Sequence, residues 1–270
     1  MLSSGRDCRI LTLEGENMRK IIVVFIVLVI AALASADIVI GNGKIATERR
    51  VLPAFRSISI NGSGTLRVHR GAQKVEIASD SNILAYITTS VSGDELKIGV
   101  EPFNSIMKAS RLQFDVTLPE LAGIVVTGSG DVYIDSFNGN AFTASVSGSG
   151  GIKANLNYTA VTLNCSGSGG FDVAVKAGRL DLRCSGSGDA FIGGSADRTE
   201  VAISGSGTLA GRGFTVGDAR ITISGSGEAE IRATKSLDVV VSGSGSVKYW
   251  GTPTINQRVN GSGRISRVGD

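Results

Sequence analysis

The tripeptide Gly-Ser-Gly occurs nine times in this chain, and its spacing limits the folds that the sequence can adopt. From Gly128 onward, the first glycines of successive copies are 18 to 20 residues apart. A repeat of this length is typical of stacked architectures in which each repeat forms one structural unit. The first glycines of the regular array are Gly128, Gly148, Gly167, Gly186, Gly205, Gly225, Gly243 and Gly261, and an earlier copy begins at Gly62.

Apolar residues recur at fixed distances from these glycines and alternate with polar residues. Positions six, four and two before each first glycine, and four after it, are mostly apolar, whereas Ser, Thr and charged residues fill the positions between. Alternation with a period of two indicates strands with one buried face. We therefore predict an all-β chain that forms a single-stranded parallel β-helix, or β-solenoid, with about 19 residues per rung. Right-handed winding is expected, as for most parallel β connections.

Gly-Ser-Gly is predicted to be the corner of each rung. Continuing the alternation through the motif places both glycines inside and the serine outside. Glycine is costly to order in regular structure, but it tolerates unusual dihedral angles and close approach of another backbone. The first glycines of the array are therefore predicted to be structural residues, at places where the chain bends and leaves no room for a Cβ atom.

The residues ahead of the array suggest an exported protein. Met18-Arg-Lys precedes an apolar run over 21–33, and Ala34-Ser-Ala follows, which is the pattern of a secretory signal peptide. The run is shorter than the roughly 20 residues that span a bilayer. We predict a start-site artefact at 1–17, a signal peptide at 18–36 and one solenoid domain at 37–270. Retention of the signal segment as an anchor is the alternative.

Within the predicted domain, 122–270 holds the regular repeats and 51–121 is predicted to form irregular N-terminal rungs. Arg264 and Arg267 fall in or near inward columns and follow Pro253, which predicts a polar terminal rung that opposes edge-to-edge growth. Residues 1–36 hold four of the 27 Lys and Arg and three of the 24 Asp and Glu, so the domain is close to neutral. This balance argues against nucleic acid or an anionic membrane surface as the main partner. We also predict no membrane insertion of the mature chain.

Four segments of the predicted domain carry a resemblance to known sequences: FRSISINGSGTLRV (55–68), VEIASDSNILAYITTSVSGDELKIGV (75–100), FDVTLPELAGIVVTGSGDV (114–132) and VSGSGSVKYWGTPTINQRVNGSGRI (241–265). Together they resemble one bacterial family, the putative auto-transporter adhesin head GIN domain. The resemblance implies an exported, β-helical, adhesin-like module. It implies no established reaction and no catalytic residues.

The one candidate for chemistry is a pair of carboxylates on adjacent rungs. Asp181 and Glu200 both lie five residues before a first glycine, so their backbones are expected about 5 Å apart, with Arg183 two residues along the strand. Paired carboxylates serve glycosidases, and acids beside arginine occur in polysaccharide lyases. The competing interpretation, which we favour, is a solvated ladder in which acidic and basic residues alternate.

The predicted domain also contains two cysteines, which could form a disulfide, and one histidine, which could bind a metal. Cys165 and Cys184 are one rung apart in an inward column, so they are close enough for a disulfide, but parallel Cβ vectors favour two buried thiols. His69 lies beside Arg67 and Arg70 and has no second histidine with which to bind a metal. We therefore predict no cofactor and no metal site.

These observations predict a non-enzymatic, exported module of the bacterial cell envelope that is adhesin-like or structural. The expected partner is a glycan or a protein, and the expected location is the periplasm, the outer surface or the medium. The alternative is a carbohydrate-active enzyme on the same scaffold, which would use Asp181, Glu200 and Arg183. The sequence leaves the oligomeric state open.

Overall fold

A computed structural model describes residues 37–101 and 104–270, and the predicted signal peptide and start-site artefact lie outside them. Almost all of the described chain is β-strand, and none of its helices is long and apolar enough to cross a membrane. The strands are β1 (Asp37–Ile40), β2 (Ile45–Arg50), β3 (Ser57–Gly62), β4 (Thr65–Arg70), β5 (Lys74–Asp80), β6 (Ile87–Ser92), β7 (Glu95–Val100), β8 (Asn104–Lys108), β9 (Leu112–Leu118), β10 (Gly123–Gly128), β11 (Asp131–Gly148), β12 (Gly151–Gly167), β13 (Gly170–Gly186), β14 (Asp189–Gly205), β15 (Thr208–Gly225), β16 (Glu228–Gly243), β17 (Ser246–Trp250), β18 (Thr254–Gly261) and β19 (Arg264–Gly269), with a 3-10 turn over Leu84–Tyr86.

The strands β11 to β16 are successive rungs of a β-solenoid, which confirms the predicted fold. Each pairs in parallel with the next, and the solenoid has about 8 turns of about 19 residues. A rung has three parts, which β11 illustrates: segment B follows Gly-Ser-Gly (131–134), segment C comes next (136–139), and segment A leads into the next Gly-Ser-Gly (141–148). Pairing of segment A runs without a register shift from β11 to β18.

The predicted apolar columns form the core of the solenoid. The column four residues before each first glycine is buried from β10 to β16, and it stacks residue upon residue: Ile124, Ala144, Leu163, Leu182, Val201, Ile221 and Val239. Burial of a large aliphatic side chain contributes about 1.5–3 kcal/mol, so these columns are a principal source of stability. The interior is thus filled with side chains along the length of the repeats.

The Gly-Ser-Gly corner differs in one respect from the prediction that both glycines point inward. The second glycine is buried in every copy from Gly130 to Gly245, but the first is half-buried or exposed. Its φ is positive, as at Gly205 with 116°, and a Cβ atom there would lie 2.4 Å from the carbonyl oxygen of Gly186 one rung earlier. That oxygen accepts a hydrogen bond of 2.9 Å from the amide of Ser206. The missing Cβ of the first glycine therefore points along the stack, and its absence permits the hydrogen bond between rungs.

The N-terminal section combines parallel rungs with antiparallel strands. β3 and β4 flank the first Gly-Ser-Gly and pair in parallel with β10 and β11, and β7 and β9 lie parallel beyond them. β6 is antiparallel to β7, and β5 is antiparallel to both β9 and β2. The irregularity predicted for 51–121 thus takes the form of antiparallel strands at the N-terminal end of the stack.

A buried carboxylate joins this end of the solenoid to the small parallel sheet of β1 and β8. Asp80 is fully buried and accepts hydrogen bonds from the amides of Gly43 (2.6 Å) and Ser110 (2.7 Å). Burial alone raises the pKa of Asp80, but the hydrogen bonds from Ser110 and Gly43 outweigh it and hold the pKa below its ordinary value of 3.8. Gly41 lies against this carboxylate, and a Cβ atom there would lie 2.5 Å from it.

The last rung, formed by β18 and β19, is polar and mostly exposed. Gln257 and Val259 occupy columns that are buried in earlier rungs, and both are exposed here. The guanidinium of Arg267 donates to the carbonyl oxygen of Gly251 at 2.7 Å. These features agree with the polar terminal rung that the sequence predicts.

The two cysteines are stacked on each other in the core of the solenoid. Cys165 and Cys184 occupy paired positions, and both are buried. The Cys165 thiol donates to the carbonyl oxygen of Gly169 at 2.7 Å. A hydrogen bond with Cys165, together with burial, raises the pKa of Cys184 above its ordinary value. The preference for thiols over a disulfide stays a prediction, and this geometry is consistent with it.

We expect Gly205→Ala to lower the free energy of unfolding by about 3 kcal/mol, because the substitution combines an unfavourable φ with a backbone clash. Chemical denaturation monitored by far-UV circular dichroism measures the change. Gly193→Ala is the matched control, since Gly193 has an ordinary φ and open space around its Cβ position, and it should change stability by less than about 1 kcal/mol. Equal effects of the two substitutions would contradict the proposed role of the corner glycine.

We expect Cys165 and Cys184 to resist alkylation in the folded protein and to react fully after unfolding, because burial in the core shields both sulfur atoms from the reagent. Iodoacetamide labelling of the non-reduced protein, followed by mass spectrometry of the peptides that carry each cysteine, gives the measurement. A disulfide-linked peptide pair, or rapid labelling without denaturant, would contradict the prediction.

Candidate functional site

The first candidate is a charged face on the outer side of segment A. We define it by Arg179, Asp181, Glu200, Asp218, Arg220 and Asp238. Asp181 and Glu200 pair across adjacent rungs, as the repeat predicts, because both precede a first glycine by five residues. The side chain of Asp181 is 17% exposed and that of Glu200 is 48% exposed. The two carboxylates are therefore neighbours at the surface of the solenoid.

Arg179 bridges these two carboxylates. Its Nε donates to both oxygens of Asp181 at 2.8 and 2.9 Å, and its Nη2 donates to Oε2 of Glu200 at 3.1 Å. The hydrogen bond with Asp181 and the charges of both acids raise the pKa of Arg179 above its ordinary value. A permanently charged guanidinium thus occupies the position between the acids.

The sequence suggests Arg183 as the basic partner, but the structure places Arg179 there instead. Arg183 pairs in register with Asn164 and Ala202, and within 37–101 and 104–270 it forms no ion pair. Arg179 and Arg183 each lie two residues from Asp181 on the same side of the strand, so their spacing does not distinguish them. Side-chain direction determines which arginine reaches the carboxylates.

The charged face continues as a ladder of satisfied pairs. Arg220 donates to Asp238 at 3.0 Å, and Ser236 donates to Asp218 at 2.6 Å. A shallow hollow of about 290 Å³ lies among these side chains. A retaining glycosidase needs one acid to deliver a proton and the other to attack, with the substrate between them. Here the guanidinium groups occupy that space, so the arrangement favours a charge-balanced ladder.

The second candidate is a groove on the outer side of segment B, which we call the aromatic groove. Its volume is about 320 Å³. One column of outward residues crosses it on four successive rungs: Tyr133, Lys153, Asp172 and Phe191. Tyr133 is 47% exposed and Phe191 is 56% exposed. Two large aromatic side chains therefore stand at opposite ends of a surface groove.

Between the two aromatic side chains, the floor of the groove is formed by glycines and polar residues. Gly151 and Gly170 lie on the two middle rungs, in a column that carries Asp131 on the rung before and Asp189 on the rung after. The ammonium of Lys153 donates to Asp172 at 2.6 Å. This hydrogen bond and the charge of Asp172 raise the pKa of Lys153 above its ordinary value of 10.5. The groove thus combines apolar ends with a charged centre.

The aromatic groove was not predicted from the sequence, although a signal was present. The column five residues after each first glycine is outward, and aromatic residues are unusual in such a column because they gain little from burial there. Tyr133 and Phe191 break the polar pattern of this column. The repeat alone places these two residues three rungs apart. The open space between them could be found only by also reading the neighbouring column, in which Gly151 and Gly170 lie on the two middle rungs.

The single histidine lies outside both candidates. Nδ1 of His69 is 2.9 Å from Asp135, on the outer surface of the stack. Across the part of the chain that the structure describes, no group of three or more His, Cys, Asp and Glu side chains is arranged to hold a metal ion.

Comparison with solved structures shows the same architecture in bacterial proteins. A putative adhesin from Parabacteroides merdae ATCC 43184 matches with a TM-score of 0.82 and 22% identity, over 86% of this chain and 100% of that protein. A putative lipid binding protein from Parabacteroides distasonis ATCC 8503 matches with a TM-score of 0.81 and 24% identity, again over 86% and 100%. A putative adhesin from Bacteroides fragilis NCTC 9343 gives 0.67 and 22%, over 85% and 100%. These likenesses show a shared fold.

No curated protein matches the sequence significantly. The sequence profile of one family matches residues 54–253, which is most of the solenoid and agrees with the resemblance carried by the four segments. The chain therefore belongs to the family described as putative auto-transporter adhesin, head GIN domain.

Proposed function

We propose that this protein is an exported, non-catalytic binding module of the bacterial cell envelope. The observation that carries the proposal is the aromatic groove, where the side chains of Tyr133 and Phe191 are exposed on a parallel sheet. Exposed aromatic side chains beside polar groups are typical of binding surfaces. Membership of an adhesin-like family and the predicted signal peptide support the export and the envelope location.

A ligand of this protein would contact an outer face of the solenoid, because the side chains of the inward columns fill its interior. The charged face is largely occupied by its own ion pairs, whereas the aromatic groove leaves apolar area exposed. One relative of the same fold is named a putative lipid binding protein and another a putative adhesin, so lipid belongs among the ligands to test.

We expect the purified protein to bind saturably to one class of ligand on an array of bacterial and host polysaccharides, matrix proteins and lipid vesicles. Binding is expected to survive a salt increase, since contact with the exposed aromatic rings of Tyr133 and Phe191 is apolar and is not screened by salt. Surface plasmon resonance on the positive ligands gives the affinity. Silence across the whole array would contradict a binding module and favour a purely structural role.

The enzyme alternative is tested separately with the double substitution Asp181→Asn and Glu200→Gln. If the protein is a binding module, any polysaccharide that it binds keeps its chain length during long incubation, and the double variant binds with unchanged affinity. Size-exclusion chromatography of the polysaccharide and a reducing-end assay measure cleavage. Cleavage by the wild type that disappears in the double variant would overturn the non-catalytic assignment.

A further inference from the structure

We propose that the aromatic groove binds a neutral oligosaccharide of pyranose sugars, laid along the solenoid axis between Tyr133 and Phe191. This inference rests on the proposed binding function and assigns it a site and a ligand class.

The two aromatic side chains supply the apolar part of such a site. One face of a pyranose ring carries mainly C–H groups, and these pack against the face of an aromatic ring. Tyr133 and Phe191 are both about half exposed, so a stacked sugar would remove substantial apolar area from water at each end. Rings on a paired strand lose little further conformational freedom on binding, which favours affinity.

The register of the rungs supplies the spacing. Tyr133 pairs with Lys153, Lys153 with Asp172, and Asp172 with Phe191, so the rings are three rungs apart. Adjacent strands are about 4.8 Å apart, which separates the two ring positions by roughly 14 Å. One rung is close to the length of one sugar unit in an extended chain. A glycan along the axis therefore presents one unit to each rung.

The glycine column provides room for the sugars. A Cβ atom at Gly151 would only touch Asp131, at 3.4 Å, so a side chain there is compatible with the backbone but would stand in the groove. Gly170 does not allow this choice, because its Cβ would clash with the backbone of Asp189. The middle of the groove is thus kept open partly by a glycine that the fold itself does not require.

The polar side chains fit hydroxyl groups and disfavour anions. The lining of the groove contains three acidic residues and one basic residue, which gives it a net charge of about −2: Asp131, Asp172, Asp189 and Lys153. Carboxylates accept hydrogen bonds from sugar hydroxyls, and the ammonium of Lys153 donates to ring and hydroxyl oxygens. A polyanionic glycan would meet repulsion from the same carboxylates.

The same features disfavour a lipid tail in this groove. An acyl chain gains affinity from an enclosed apolar cavity, but the centre of this groove holds an exposed ion pair between Lys153 and Asp172. Covering that pair with hydrocarbon would remove both charges from water without a new partner. A neutral glycan leaves them solvated or hydrogen-bonded.

Isothermal titration calorimetry of the purified chain with cellohexaose, laminarihexaose, xylohexaose and chitohexaose tests the proposal, with hexagalacturonate as the anionic probe. We expect saturable, submillimolar binding of at least one neutral hexamer and at least tenfold weaker binding of hexagalacturonate. Tyr133→Ala and Phe191→Ala should each weaken the neutral ligand about tenfold. Val125→Ala is the matched control, because it removes an exposed apolar side chain from segment A, away from the groove.

Gly151→Val adds an independent test, since it fills the groove without removing a contact. We expect it to abolish binding while the thermal unfolding midpoint stays near the wild-type value. No binding of any neutral hexamer, preference for hexagalacturonate, or unchanged affinity in Tyr133→Ala and Phe191→Ala would each overturn the proposal. If the wild type binds a ligand on the array and both aromatic variants bind it equally well, the binding function stands and the assignment to this groove fails.

Discussion

The stack depends on one hydrogen bond that is repeated at every corner. The amide of the serine in Gly-Ser-Gly donates to the carbonyl oxygen of the first glycine one rung earlier, and from Ser149 to Ser262 this distance is 2.9 Å in every copy. A Cβ atom on the first glycine would take the place of that bond, lying within 2.6 Å of the oxygen throughout the regular array. Only glycine combines the positive φ with this contact. The corner therefore sets how one rung lies on the next, and the apolar columns follow from it.

A fixed corner turns positions along the chain into columns along the solenoid. Residues 18 to 20 apart in sequence become neighbours, so chemistry distributed over many repeats gathers on one face. This places Arg179 between Asp181 and Glu200, and it aligns Tyr133 with Phe191 across two intervening rungs. The two faces then differ in what remains available. The side chains of the charged face pair with one another, whereas the aromatic groove has exposed aromatic rings and an open centre.

Most of the fold could be predicted from the sequence because the repeat determines which residues point inward and which residues stack on one another. The inward columns, the parallel stacking and the pairing of Cys165 with Cys184 all follow from period-two alternation and a fixed interval. The direction of the first glycine could not be read from alternation, since a positive φ turns its missing Cβ out of the regular pattern. The antiparallel strands β5 and β6 were also missed, because the interval of 66 positions from Gly62 to Gly128 contains no further corner motif to set their direction.

The candidate sites were less predictable than the fold. Asp181 and Glu200 were found because both lie at the same distance from a first glycine. Their bridging arginine depends on side-chain conformation, which the interval does not determine. The aromatic groove depends on the missing side chains of Gly151 and Gly170 as much as on Tyr133 and Phe191. A missing side chain is harder to recognise in a sequence as part of a site than a pair of charged residues is.

The register shifts between rungs of the solenoid all fall outside segment A and the corner. They lie where segment B ends or passes into segment C, at Ile134/Ser136, Phe191/Gly194, Gly211/Thr215 and Tyr249/Trp250, and beyond segment C at Val216/Asp218. Repeats of 18, 19 and 20 residues therefore fit one stack because the difference is absorbed there. The solenoid therefore has one edge, at the corner, where the length of the chain is fixed, and a second edge where additional residues fit without loss of stacking. An insertion at the second edge would change the surface of the solenoid and leave the hydrogen bonds of the corner in place.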